Sequence, residues 1–182
     1  MSVDGHGQAL ALWARARLKQ ELGGPIAVPP SGEWAQEPGA TFVTLRRRDG
    51  RLQGCIGTLE PRRSLLNDVA HNAIAAGLHD PRCVPVSLAD VDDLDVEVSI
   101  LSPLERIRFD DQPSALKAIR PGVDGIVFEY RGRRATFLPS MWPRLPDVRD
   151  FMGELKEKAG FPFDFWDDDV RLYRYTVEKH LA

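Results

Sequence analysis

Cysteine is scarce in this chain, with two residues, Cys55 and Cys83, among 182. That excludes a disulfide framework and a zinc site built on four thiolates. A basic surplus is missing as well: 24 lysines and arginines face 27 aspartates and glutamates, for a net charge of -3. Nucleic-acid binders draw most of their non-specific affinity from neutralising phosphates, so a nucleic-acid partner is not expected. No run approaches the roughly 18 apolar residues of a membrane span, and no charged start leads into an apolar stretch and cleavage site. A soluble protein of the cytoplasm, with no membrane partner, is expected. Walker, Rossmann, nucleophile-elbow, zincin and EF-hand patterns are all absent, so no cofactor and no metal is implied by motif.

What is present reads as a globular chain. The hydrophobic content is 43% and the charged content 28%, near the averages for folded domains. At this length one domain spanning residues 1–182 is expected, with a core large enough to need no staples. Leu10, Trp13, Ala14, Leu18 and Leu22 recur at spacings of three and four, which predicts a helix over 8–22. Eight of the seventeen residues from Gly23 to Gly39 are glycine or proline, so a long loop follows. Thr41 to Leu45 and Arg51 to Thr58 read as strands joined through Asp49-Gly50, a strong hairpin signal. The arginines around that turn, Arg46, Arg47, Arg48 and Arg51, read as a solvated hairpin tip.

Ser64 is positioned to cap a helix that runs to about His79, where Asp80-Pro81 ends it. In the clearest strand Leu94, Val96, Val98 and Ile100 face one way and Asp93, Asp95, Glu97 and Ser99 the other. A short helix over 114–119 and strands over 126–130 and 134–138, turning at Arg131-Gly132, come next. A helix over 147–159 stopped by Gly160, and one final strand over 170–178, complete the pattern. Hairpins with interspersed helices point to an α+β fold of mainly antiparallel strands.

Cys55 is the first candidate for chemistry. Gly54 and Gly57 flank it, and glycine inside a strand marks a bulge or a close backbone approach, which a ligand could make. The competing reading is a small buried hydrophobe, the usual state of a free cysteine. No base is placed beside it by spacing, and His71 and His79, eight apart, do not form a metal pair. Cys83 reads as packing. Asp80-Pro81-Arg82 either ties a turn or aims Arg82 at an anion. Glu129 with Arg133, Arg134 and Thr136 straddles the second hairpin, where opposed charges pair across strands.

Leu52-Gln53-Gly54-Cys55-Ile56-Gly57 strongly resembles the Leu-Arg-Gly-Cys-Ile-Gly signature of the AMMECR domain family. The likeness continues through Thr58-Leu59-Glu60-Pro61, Asn72-Ala73-Ile74, Asp80-Pro81-Arg82 and Val98-Ser99-Ile100-Leu101-Ser102-Pro103. It extends through Pro121-Gly122-Val123-Asp124-Gly125-Ile126, Arg133 to Pro139, Lys158-Ala159-Gly160 and Tyr173-Arg174-Tyr175, nearly the whole chain in order. Microbial members are called AmmeMemoRadiSam system protein A, after the Memo-like and radical SAM proteins whose genes accompany them. The resemblance implies an α+β fold with a larger and a smaller subdomain and the signature strand near the cleft between them.

It also implies a site centred on Cys55 as candidate nucleophile, with Gln53, Gly54, Gly57, Asn72, Arg82, Glu129, Arg134 and Thr136 as candidate substrate-binding residues. Two departures stand out: the signature arginine is Gln53, and the usual phenylalanine after Asp-Pro-Arg is Cys83. Two functions follow. One is an enzyme acting on a small molecule or modified peptide through Cys55. The other is a non-catalytic binding and delivery module working with the Memo-like and radical SAM partners.

Overall fold

The computed structural model describes residues 3–182. The chain divides into two compact units: one ends at Leu101 and takes back Glu178–Ala182, and the other is Ser102–Val177. The fold is α+β with two antiparallel sheets. No helix among the described residues is long and apolar enough to cross a membrane.

In the first unit α1 spans Val3–Glu21, earlier than the periodicity places its start, because Gly5 and Gly7 mask the helical pattern there. Leu10, Ala11, Ala14 and Leu18 are fully buried on its inner side. A short 3-10 turn at Glu33–Gln36 breaks the glycine-proline stretch before β1, Pro38–Arg47. The chain reverses after Arg47 into β2, Leu52–Gly57, with Gly50 at φ 83 as the hairpin signal requires. A two-residue strand β3, Arg63–Ser64, pairs with the start of β1. Ser64 then accepts from the Asn67 amide and caps α2, Leu65–Leu78. After a 3-10 turn at Leu88–Asp93, β4 covers Leu94–Leu101.

Strands run β2-β1-β4-β9 across the sheet, β9 being Val177–Leu181. β1 therefore sits inside, and β2 is an edge. Val43, Leu45, Val96 and Val98 turn to one face and pack with α1 and α2 in a buried apolar cluster. Trp13 Nε1 donates to Leu66 O at 3.0 Å and ties the two helices. Arg15 donates to the carbonyls of Val91, Leu94 and Ala182 at 2.7–2.8 Å, tying α1 to the start of β4 and to the end of the chain. Period-two alternation turns Thr44 and Cys55, cross-strand partners, to the other face.

The second unit has a four-stranded sheet ordered β5-β8-β6-β7, with β5 at Glu105–Ile107, β6 at Gly125–Tyr130, β7 at Arg133–Phe137 and β8 at Arg171–Tyr175. The β6–β7 hairpin turns on Arg131 and Gly132 at φ 45 and 78, the positive pair of a type I′ turn. Helix α3 covers Gln112–Ala118 behind an Asp111 cap, and α4 covers Val148–Lys158 behind an Asp147 cap. Gly160 at φ 87 stops α4. The core is aromatic: Trp142 stacks on Phe151 with centroids 3.8 Å apart, and Phe161 and Phe165 close around Tyr130. Phe163, in the same segment, stands outward with 42% of its surface exposed.

One expected element divides. The residues read as one final strand form two, β8 and β9, in different sheets on either side of Thr176. The apolar-polar pattern is continuous across Thr176, so nothing local marks the change of partner.

Candidate functional site

The Asp80-Pro81-Arg82 turn is built around Cys55. As an edge residue, Cys55 pairs with Thr44 on one side and has main-chain groups facing outward on the other. Asp80 Oδ2 accepts the Cys55 N–H at 2.9 Å, and Arg82 Nη2 donates to the Cys55 carbonyl at 3.0 Å. The two side chains are bound to each other twice, Arg82 Nε to Asp80 Oδ1 at 2.9 Å and Nη2 to Oδ2 at 2.7 Å. They thus take the place of one more strand at a single residue. The Arg82 N–H also bonds Asp80 Oδ1, a local turn that the proline between them preorganises.

Asp80 is 4% exposed, whereas its partner's guanidinium remains largely in solvent. The Arg82 hydrogen bonds hold the Asp80 carboxyl well below the usual carboxylate range; burial opposes this, and the Cys55 and Arg82 amides add to it. Arg82 is in turn held more firmly protonated by Asp80. Bidentate, charge-assisted geometry of this kind is the strong form of the interaction. Its Nη1 makes no hydrogen bond among the described residues.

Cys55 itself is half-buried, and Thr44 Oγ1 lies 3.3 Å from its Sγ, placed to donate to it. The Cys55 N–H is occupied by Asp80, so it is not a free donor for an oxyanion. None of the ion pairs or hydrogen bonds of the histidines reaches Cys55 among the described residues: His6 stacks on Trp34, and His180 lies by Glu178. No group of three or more His, Cys, Asp or Glu among the described residues comes together to hold a metal ion.

The flanking residues are engaged internally. Gln53 takes Arg47 Nε on its oxygen at 2.8 Å and donates from its nitrogen to Val84 O at 2.6 Å. It stitches the segment after the Asp-Pro-Arg turn to β2. A Cβ on Gly54 would lie 1.9 Å from Ala76 O, so Gly54 admits the backbone of α2 against the sheet. A Cβ on Gly57 would lie 2.2 Å from the Phe42 ring, its cross-strand partner. Both glycines answer to a close approach within the protein. Cys83 is half-buried, with its Sγ 3.9 Å from Leu52 O.

Asn72 belongs to a buried polar network on the helix side of β1. Asp68, Asn72 and Thr41 are each fully buried there. Asp68 Oδ2 accepts from the Thr41 N–H and Oγ1, from Thr58 Oγ1 and from Asn72 Nδ2 at 2.6–3.0 Å. Arg63 Nη1 donates to Asp68 Oδ1 at 3.2 Å. Sequence reading missed Asp68, Thr41 and Thr58. The available signal was Asp68 and Asn72 at four-residue spacing beside the apolar Val69 and Ala73, two polar side chains on the buried face of a helix.

Glu129, Arg134 and Thr136 belong to the second unit. Glu129 lies opposite Arg134 in the ladder, 3.8 Å from its Nε and 3.8 Å from Arg171 Nη1. With Arg106, Arg131 and Asp168 it lines a polar depression of about 500 Å³. Thr136 Oγ1 bonds Ile126 O and lies 2.8 Å from the Tyr175 hydroxyl, whose pKa burial pushes up to about 12.

A family model described as AMMECR1 matches residues 11–180. Among similar proteins, one from Thermotoga maritima is 41% identical over 140 residues, 76% of this chain and 75% of its own. One from Methanothermobacter thermautotrophicus is 34% identical over 181 residues, 94% of this chain and 92% of its own. The crystal structure of uncharacterized protein PH0010 from Pyrococcus horikoshii superposes with a TM-score of 0.86 at 32% identity, covering 97% of this chain and 91% of that one.

Proposed function

The chain belongs to the AMMECR1 family, and on that premise we propose that Cys55 and Arg82 form a thiol site for an anionic, electrophilic small molecule or modified peptide. The carrying observation is the clamp: a buried carboxylate and an arginine are committed to fixing the backbone of the one strand residue that bears a thiol. Preorganising a reacting atom in this way is what covalent chemistry requires. Arg82 keeps Nη1 for a ligand anion while its other nitrogens hold the strand. Gln53, Gly54 and Asn72 shape and stiffen the surroundings. Glu129, Arg134 and Thr136 belong to the second unit and are not assigned to this site. Both thiols are free, as a reducing cytoplasm would keep them, and we place the protein there.

A second reading, a binding and delivery module working with Memo-like and radical SAM proteins, draws on one observation. The Cys55 N–H, the donor a nucleophilic cysteine often lends to an oxyanion, is taken by Asp80. In that reading the thiol holds a ligand without turning it over.

The test uses the Cys83→Ser protein, in which Cys55 is the sole thiol. Iodoacetate and iodoacetamide both form a thioether and release iodide, but only iodoacetate carries an anion. Cys55 is expected to favour iodoacetate at least fivefold more than an unfolded control does, and Arg82→Met to remove that preference. Alkylation of native Cys55 no faster than in the unfolded control, with either reagent, would sink the activated thiol. Substrate turnover by the isolated chain then decides for an enzyme. Activity seen only in the partners, and dependent on this chain, decides for delivery.

A further inference from the structure

Helix α4 of the second unit carries a charge that its surroundings do not satisfy. Lys156 is 3% exposed, yet the only hydrogen bond its side chain makes among the described residues runs from Nζ to Phe165 O at 3.0 Å. An ammonium has three donors, so two are left over, and no carboxylate among the described residues lies within ion-pair distance. A buried ammonium in this state costs stability that a methionine would not. Burial pushes its amine below the ordinary lysine value, with Asp164 opposing.

Lys156 lines a pocket of about 380 Å³, within the size range of small-ligand sites. Leu116 of α3, Met152 of α4 and Phe163 supply an apolar wall, and Phe163 rests where a side chain at Gly153 would otherwise stand. Arg149, seven residues before Lys156 on the same side of α4, also lines the pocket, and its guanidinium makes no hydrogen bond or ion pair among the described residues. Two cations face one anion, Asp164, across a mainly apolar wall. The pocket thus combines an apolar wall with polar groups, Gln112 among them, and its lining carries more positive than negative charge.

We propose that this pocket is a binding site for a small monocarboxylate with an apolar chain, distinct from the Cys55 site. The carboxylate takes the spare donors of Lys156, the chain lies against Leu116, Met152 and Phe163, and Arg149 attracts the anion at the opening. No bond is made or broken.

The test titrates the full chain with octanoate, 1-octanol and acetate, following amide shifts and heats of binding. Octanoate should bind with shifts centred on Leu116, Met152 and Phe163, and at least about tenfold more tightly than either octanol or acetate. Lys156→Met should lose at least about tenfold in octanoate affinity while unfolding at the same or a higher temperature than wild type. Arg149→Gln should weaken binding less and flatten its salt dependence. Leu116→Trp, which fills the pocket and leaves every charge in place, should abolish octanoate binding. The assignment is overturned if octanol binds as well as octanoate, if octanoate shifts map elsewhere, or if Lys156→Met and Leu116→Trp both bind octanoate unchanged.

Discussion

Each unit contains a buried aspartate clamped by an arginine across a proline-containing turn, and the two clamps do different work. In the second unit Arg120 and Asp124 flank Pro121-Gly122-Val123, and the loop closes on itself. Arg120 gives Asp124 its N–H, Nε and Nη2 at 2.6–2.9 Å, and Trp142 Nε1 donates to the Asp124 carbonyl at 2.7 Å. Arg174 Nη1 stands 3.7 Å from the same carboxylate. In the first unit the Asp80–Arg82 pair reaches outward to the N–H and C=O of Cys55. The arginines are similarly exposed and the carboxylates similarly buried, so the pair chemistry is shared. What differs is the main chain offered to it: β2 is an edge with outward-facing groups, whereas the Arg120 side chain gives its hydrogen bonds to Asp124 of its own loop. One pair stabilises a unit, and the other positions a residue.

That contrast can be broken by removing each carboxylate in turn. Asp124→Ala leaves two arginines against a buried, empty acceptor site, and should cost the second unit about 3–5 kcal/mol. Hydrogen exchange is expected to rise throughout β6 and β8 while β1 and β4 keep their protection. Asp80→Asn keeps the shape but loses the charge, and should cost about 1–3 kcal/mol. Its exchange signature should concentrate at the Cys55 amide. A global loss of protection in Asp80→Asn, equal to that of Asp124→Ala, would erase the distinction.

The smallest effect is that of acid. The Asp80 carboxyl is held below its unfolded value, near about 3.9, so the stability it lends is whole above that pH. It drains as the pH falls further, through the folded value. Urea midpoints of wild type and Asp80→Asn should therefore differ by a constant from pH 7 to about pH 5, then converge between pH 4 and 2. Parallel curves down to pH 2 would show that the carboxylate is not what the clamp relies on.

Much of the scaffold was readable from local chemistry. Ser64 caps α2 because a hydroxyl satisfies an orphan amide wherever a helix starts. Arg131-Gly132 turns the second hairpin because glycine tolerates positive φ. Leu94, Val96 and Val98 bury because alternation alone sends them to one face. β3 and β5, of two and three residues, were too short to show a period. The sheet change at Thr176 left no mark, because Tyr175-Thr176-Val177 alternates straight through it.

Of the candidate site, Cys55 and Arg82 were legible as residues, and their joining was not. Gly54 and Gly57 announced a close approach in the sequence, yet whether a ligand or the protein made it depended on where α2 and Phe42 came to lie. Asp68 was invisible as a hub, since its four donor residues come from Thr41, Thr58, Arg63 and Asn72 across two strands' worth of chain.

Composition, period and turn chemistry by themselves determined the α+β class, the order of most elements and the hairpins, while the family was carried by the likeness of the Leu52–Gly57 motif to a known signature. These depend on interactions within a few residues of one another. Tertiary structure alone decided that β2 is an edge, that Asp80 and Arg82 spend their charges on the backbone of Cys55, and that Lys156 is buried beside a pocket with one main-chain carbonyl as its hydrogen-bond partner. Those outcomes depend on which distant main-chain groups remain unpaired after the sheets form, a quantity that no local pattern encodes.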